Sequence, residues 1–307
     1  MTPKDRMMAA LNLGKPDRVP ATTMDLMPYW RKMYMGGKGV VESYKELGLD
    51  ASCFAPNPCF WPYDAGVSSA EWKVTASTKK SGEENIIEYS FKTPKGLLTM
   101  VQGQNEYTTW VTKHMIENDE DIQLLKYRPI PGFDKKLFES MYDELGDAGI
   151  LRTGGFGFQE GCWQDACEMY GTENMIMATY DKPEWVHEFL GILLDQKLKF
   201  IEENFSSLKV DLVLTGGGAS SNTVISPKIH QEFCLPYDKK MNEAIKSYGH
   251  KVVYHTCGGM TKILDMILAN GCDASESLSP SSGGGGYLRS WGGYGEIRWE
   301  NSHDRRA

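Results

Sequence analysis

The 307-residue chain has no apolar run long enough to cross a bilayer. The longest, Phe189 to Leu194, falls far short of the ~20 residues a membrane helix needs, and mean hydropathy is −0.42. There is no basic excess either. Thirty-three Lys and Arg against 41 Asp and Glu leave a net charge of −8 and a pI near 5.4, which argues against a nucleic-acid-binding domain. No secretory signal is legible in Met1 to Met7, where acidic and basic residues mix and no apolar segment leads to a small-residue cleavage site. Nor is there a disulfide framework: the seven cysteines are odd in number and scattered from Cys53 to Cys272 without tight spacing. These absences predict a soluble, cytoplasmic protein with reduced thiols, some of them available to a metal.

What is present is a strand–helix rhythm with one interruption. An amphipathic helix over Thr2 to Leu13 precedes a short apolar run, Arg18 to Leu26, entered through a proline and read as a first barrel strand. A helix over Gly39 to Leu47 leads to a second run, Asp50 to Ala55. Between Glu71 and Ile116 the period changes to two, in runs separated by Ser81-Gly82 and Pro94-Lys95-Gly96, which predicts an antiparallel meander inserted into the larger domain. Helices near Asp119 to Lys126 and Asp134 to Leu145 return the chain to alternation. The strands Gly149 to Thr153, Val210 to Thr215, Lys251 to His255 and Cys272 to Glu276 then alternate with helices over Glu160 to Tyr170, Pro183 to Glu203, Pro227 to Tyr248 and Met260 to Ala269. Nearly continuous apolar strands such as Asp211 to Thr215 are those of a parallel sheet covered on both faces.

Six barrel-type strands can be counted before residue 280. The expected fold is therefore α/β, a TIM-type (β/α)8 barrel over residues 1–280, incomplete at its C-terminus and carrying the meander at 71–116. Residues 281–307 read as a Gly-rich linker, with four glycines at 283–286, and an atypical tail. A barrel missing its last units exposes sheet edges that the tail or a second copy of the chain would have to cover, which leaves a homo-oligomer open.

Strand ends are where barrel enzymes place their chemistry. The sharpest signal is Tyr254-His255-Thr256-Cys257-Gly258-Gly259. Two positions apart in extended chain, His255 and Cys257 can share a face and converge on one ion, and an imidazole with a thiolate suits zinc. The same residues would also serve as a hydrogen-bonded core histidine beside a buried thiol. Candidate third ligands are Glu276, Glu160, Asp25, Cys272 and Cys234, with Glu276 favoured because it ends the next strand. Asp25, among Met24, Met27, Tyr29 and Trp30, is either an acid–base carboxylate or a helix cap. Gly216, Gly217 and Gly218 resemble an anion nest but lack the lysine of a phosphate loop, and a substrate-lining loop fits them better. Gly155 and Phe156 hold the same position after an earlier strand. With Tyr254 these glycines and Phe156 form the expected cofactor-binding set, and Asp25, Glu160 and Glu276 the expected catalytic set.

Several segments together resemble the uroporphyrinogen decarboxylase superfamily, in particular its corrinoid-linked methyltransferase branch. They are Ala9 to Pro20, Thr93 to Gly96, Val224 to Lys228, Glu232 to Tyr237 and Tyr254 to Gly259, spread over roughly Thr2 to Pro280. The resemblance implies a TIM-type barrel, and zinc held by His255, Cys257 and a later cysteine that has no counterpart after Pro280. It further implies that the zinc activates a small thiol or a tetrahydrofolate-type pterin acceptor, with methyl supplied by a methylated corrinoid on a partner protein. The decarboxylase branch grips a porphyrin precursor with an Arg-rich motif after the first strand. Here that place reads Met24 to Lys32, with only Arg31 and Lys32 positive, so tetrapyrrole decarboxylation is the alternative, alongside a truncated, catalytically inactive binding relative.

Overall fold

The computed structural model describes residues 1–24, 26–55, 68–154 and 161–277, together with the backbone of two short strands, 286–290 and 297–301. The strands in chain order are β1 (Ala51–Phe54), β2 (Lys73–Ser81), β3 (Glu84–Lys92), β4 (Leu97–Gln104), β5 (Thr109–Lys113), β6 (Gly149–Thr153), β7 (Leu212–Gly216), β8 (Lys251–His255), β9 (Ala274–Glu276), β10 (Gly286–Ser290) and β11 (Ile297–Asn301). Strands β1, β6, β7, β8 and β9 form one parallel sheet in that order. Helices connect them, which makes the fold a TIM-like α/β arrangement. Five strands rather than eight are seen among the described residues, with β1 and β9 at the two ends of the sheet.

Both faces of this sheet are covered. On one, Ile150, Leu212, Leu214 and Val253 form a small apolar layer with Met7. On the other, Leu151, Val213 and Val252 join the main core with the helix Pro183–Asn204. That helix is buried through Phe189, Leu190, Leu193 and Phe200 and packs against the helix Leu235–Ser247. The amphipathic pattern read over Pro227 to Tyr248 is continuous, but the backbone widens to a π-type turn at His230–Cys234, a form that interrupts α-helices mostly in single turns.

The meander is a separate antiparallel sheet, β2–β3–β4–β5, in which Phe91 stands opposite Leu98 and Tyr89 opposite Met100. Those four residues are buried, as the period of two requires of a sheet with one covered face.

One reading is corrected. Arg18 to Leu26 contains no strand among its described residues: Val19 is 83% exposed, and Ala21 exchanges two 2.8 Å backbone and side-chain bonds with Asp50. The buried Asp50 carboxylate also receives Arg6 at 2.5 Å and Arg18 at 2.9 Å. These ion pairs, with the missing N–H groups of Pro16 and Pro20, tie the segment to the start of β1 instead of adding it to the sheet. In the tail, β10 pairs antiparallel with β11, Gly286 opposite Asn301. Sequence reading also passed over the helices Pro28–Tyr34 and Thr172–Asp181.

Candidate active site at the carboxyl ends of the parallel strands

Strand alternation sorts the side chains before any chemistry is invoked. Arg152, His255 and Glu276 project on the same face as Ile150, Val253 and Ala274, so three polar groups cap an apolar layer at the strand ends. His255 is 2% exposed. Its Nδ1 lies 2.9 Å from Glu276 Oε1, and its Nε2 lies 2.8 Å from Cys257 Sγ. A carboxylate can only accept, so Nδ1 carries the proton and the Nε2 lone pair faces the sulfur. Glu276 Oε2 in turn receives Arg152 Nη2 at 2.6 Å, and Arg152, itself buried, rests over the Phe54 ring.

Burial alone would raise the Glu276 carboxyl, but the hydrogen bond from His255 and the Arg152 guanidinium more than offset it and hold the group below its ordinary range. Partial burial, then the Glu276 charge, push the Cys257 thiol up. The sulfur is therefore a thiol donating to Nε2, and it opens to solvent.

The loop that carries Cys257 is fixed from behind. Gly258 sits at φ +115°, and a Cβ there would lie 2.4 Å from Thr223 Oγ1, so only glycine fits. Ser277, next to Glu276, has φ +62°, a left-handed conformation unusual for serine.

Glu276 does not complete a ligand set with His255 and Cys257. It is engaged on the opposite ring nitrogen, where it orients the imidazole. No third His, Cys, Asp or Glu joins the pair among the described residues. Cys234 is buried in the helical layer and Cys272 lies near Ile267 O, away from the strand ends. Asp25, Gly155, Phe156 and Glu160 lie outside the described residues. The donor chemistry of the pair still fits zinc: an imidazole nitrogen and a sulfur converge on one side, and behind the imidazole sits a carboxylate, one of the usual partners of a metal-bound histidine.

The glycine loop is tied to its neighbours by backbone bonds. Gly217 N–H donates to His255 O at 2.8 Å, Ala219 N–H to Gln164 Oε1 at 2.8 Å, and Asn222 N–H to Gly259 O at 2.8 Å. Through Gly217 and Asn222 the segment is tied to the two sides of the Cys257 loop.

Tyr254, expected in the cofactor-binding set, lies on the other face of β8. One residue from His255, it points the other way, is 0% exposed, and its hydroxyl donates to Asp238 at 2.7 Å. Burial pushes the Asp238 carboxyl up to about 7. Beside it, Lys197 and Asp165 form a buried ion pair at 2.8 Å. Sequence reading missed Arg152, although an arginine inside an otherwise apolar strand was the available signal.

The family model for uroporphyrinogen decarboxylase (URO-D) matches residues 107–277. A search of curated proteins returns no match. Among solved structures, a methyltransferase from Methanosarcina mazei aligns over 93% of this chain and 78% of its own, with a TM-score of 0.58 and 14% identity. At that identity the likeness is one of fold.

Proposed function

The chain belongs to the uroporphyrinogen decarboxylase family, and from that membership we propose that it is a zinc-dependent methyltransferase. The observation that carries the reading is the His255–Cys257 donor pair, oriented by Glu276 and Arg152 at the strand ends. His255 Nε2 and Cys257 Sγ would hold the ion. Bound zinc supplies a lowered pKa to an acceptor thiol, or the equivalent activation of a pterin nitrogen. Arg152 and Glu276 keep the imidazole in the tautomer that leaves Nε2 free, and the glycine loop keeps Cys257 at the solvent-facing mouth.

The methyl donor in this reading is a methylated corrinoid carried by a partner protein. The acceptor sulfur would take the methyl group as a cation equivalent: the sulfur–carbon bond would form as the cobalt–carbon bond breaks, its electron pair staying on the partner's cobalt, and the thiol proton would leave to solvent. The fold likeness to a methanogen methyltransferase accords with this assignment. Against tetrapyrrole decarboxylation stands Arg31, whose guanidinium donates to Leu26 O at 2.9 Å and Lys38 O at 2.7 Å and so is engaged by backbone.

The test is elemental analysis of protein purified without chelator, with His255→Ala as control, followed by methylcobalamin and a thiol acceptor. Near-stoichiometric zinc that the variant loses, with thiol methylation, is expected. Protein devoid of zinc and of methylation would remove the reading.

A further inference from the structure

Between the antiparallel sheet and the helix Cys162–Tyr170 lies a cavity of about 310 Å³ that the site above does not use. Gln102 and Cys167, both buried, line it from β4 and from the helix, while Trp110, His114 and Glu168 are half-buried and Thr109 and Thr172 stand exposed at its rim. The chemistry of these groups is one-sided.

His114 Nδ1 lies 2.8 Å from the carbonyl oxygen of Glu168. A carbonyl only accepts, so in the neutral ring Nδ1 donates and Nε2 keeps a lone pair. The Glu168 carboxylate receives the Gln164 amide at 3.3 Å and has no Lys or Arg partner among the described residues. Burial, with the Asp165 charge adding to it, pushes the Glu168 carboxyl up, and the Gln164 amide and the neighbouring His114 offset this only in part. Trp110 packs directly on β4, where Gly103 leaves room that a Cβ, 2.4 Å from the indole, would take. Gln102 is 3% exposed. Its Oε1 accepts the Tyr89 hydroxyl at 3.3 Å, and its amide N–H groups have no acceptor among the described residues.

A carboxylate, an imidazole lone pair and an indole around one space are what an ammonium group is recognised by. The unused Gln102 donor asks for an acceptor on the same ligand. We propose that this cavity is a second ligand site, for a small molecule that carries an ammonium group and, a few bonds away, a hydroxyl or carbonyl oxygen. Its volume is at the lower end of the ~300–1,000 Å³ usual for ligand pockets, so the ligand is small. The site is also linked to the mouth of the sheet. Gln164 donates to Glu168 and accepts Ala219 N–H, so one side chain separates the cavity from the glycine loop.

The experiment is an NMR titration of the full chain labelled at its indole nitrogens, with the Trp110 resonance assigned by its loss in Trp110→Phe. Ethanolamine is the probe, and ethylene glycol and acetate are the controls. Ethanolamine is expected to shift the Trp110 resonance saturably in the millimolar range, with no saturable shift from either control. Glu168→Gln, with its other indole resonances unmoved as proof of folding, is expected to weaken binding by at least about tenfold, the worth of a hydrogen bond to a charged group. Absence of a saturable shift with ethanolamine, equal binding of ethylene glycol, or undiminished binding in Glu168→Gln would each overturn the proposal. None of these outcomes depends on zinc or methyl transfer.

Discussion

Glu276 Oε1 lies 2.9 Å from His255 Nδ1, on the side of the ring away from Cys257. That one contact separates two roles for the carboxylate. A ligand must reach the ion, whereas an orienting group acts through the imidazole.

The two roles predict different variants. Glu276→Ala is expected to lower zinc affinity by about 10–100-fold, the usual effect of removing an orienting partner, measured by competition with a chromogenic chelator. His255→Ala is expected to abolish binding in the same assay. Equal, complete loss in both variants would make Glu276 a ligand and refute the orienting role.

Arg152 is one bond further out, paired to Glu276 at 2.6 Å and buried. Arg152→Met removes the counter-charge from a carboxylate that is itself mostly buried, and breaking such a pair costs up to about 3–5 kcal/mol. Glu276 is partly open to solvent, so the loss should fall at or below the lower end of that range. Urea denaturation measures it, and the double variant Arg152→Met/Glu276→Gln should recover part of it. Additive losses would mean that the two side chains are not coupled.

These contacts mark how far the sequence could be read. The βα rhythm from Gly149 to Glu276 was legible because strands covered on both faces are almost wholly apolar, and the meander because its period is two. That the His255 and Cys257 side chains meet was legible by spacing. Arg18 to Leu26 was misread because ion pairs between Arg6, Arg18 and Asp50 bind it, and long-range pairing leaves no local pattern. The face of Tyr254 follows from its neighbour: once His255 points to the mouth, Tyr254 must point to the helices. The partner of Glu276 does not follow so, because a residue's place at a strand end does not say which atom of the histidine it meets.

Asp238 predicts a pH dependence of stability. It is fully buried, accepts from Tyr254, and faces Lys197, Cys162 and Cys234. Its folded pKa of about 7 lies above the unfolded value of 3.8. The folded state therefore holds its proton longer, and stability from this group falls as pH rises between those values and is level above them. Asp238→Asn keeps the acceptor for Tyr254 and cannot ionise. Its stability advantage over the unmodified chain should widen between pH 5 and pH 8 by roughly 2–3 kcal/mol, at 1.36 kcal/mol per pKa unit. A constant difference across that range, by urea denaturation, would show that Asp238 does not titrate there.

Gly258 tests whether the backbone behind Cys257 sets the donor geometry. Alanine at φ +115° must adopt a conformation that costs of order 1–3 kcal/mol, and its Cβ would stand 2.4 Å from Thr223 Oγ1 and 3.0 Å from Ser221 Oγ. The loop can escape only by moving, and Cys257 moves with it, while the core around Phe189 and Leu193 is untouched. Gly258→Ala is therefore expected to lose zinc affinity while its near-UV circular dichroism stays unchanged. Removing the threonine oxygen in Gly258→Ala/Thr223→Ala relieves the collision but leaves the dihedral strain, so affinity should return in part. Full recovery would assign the whole effect to the collision. Unaltered zinc binding in Gly258→Ala would mean that the position of Cys257 does not depend on this turn.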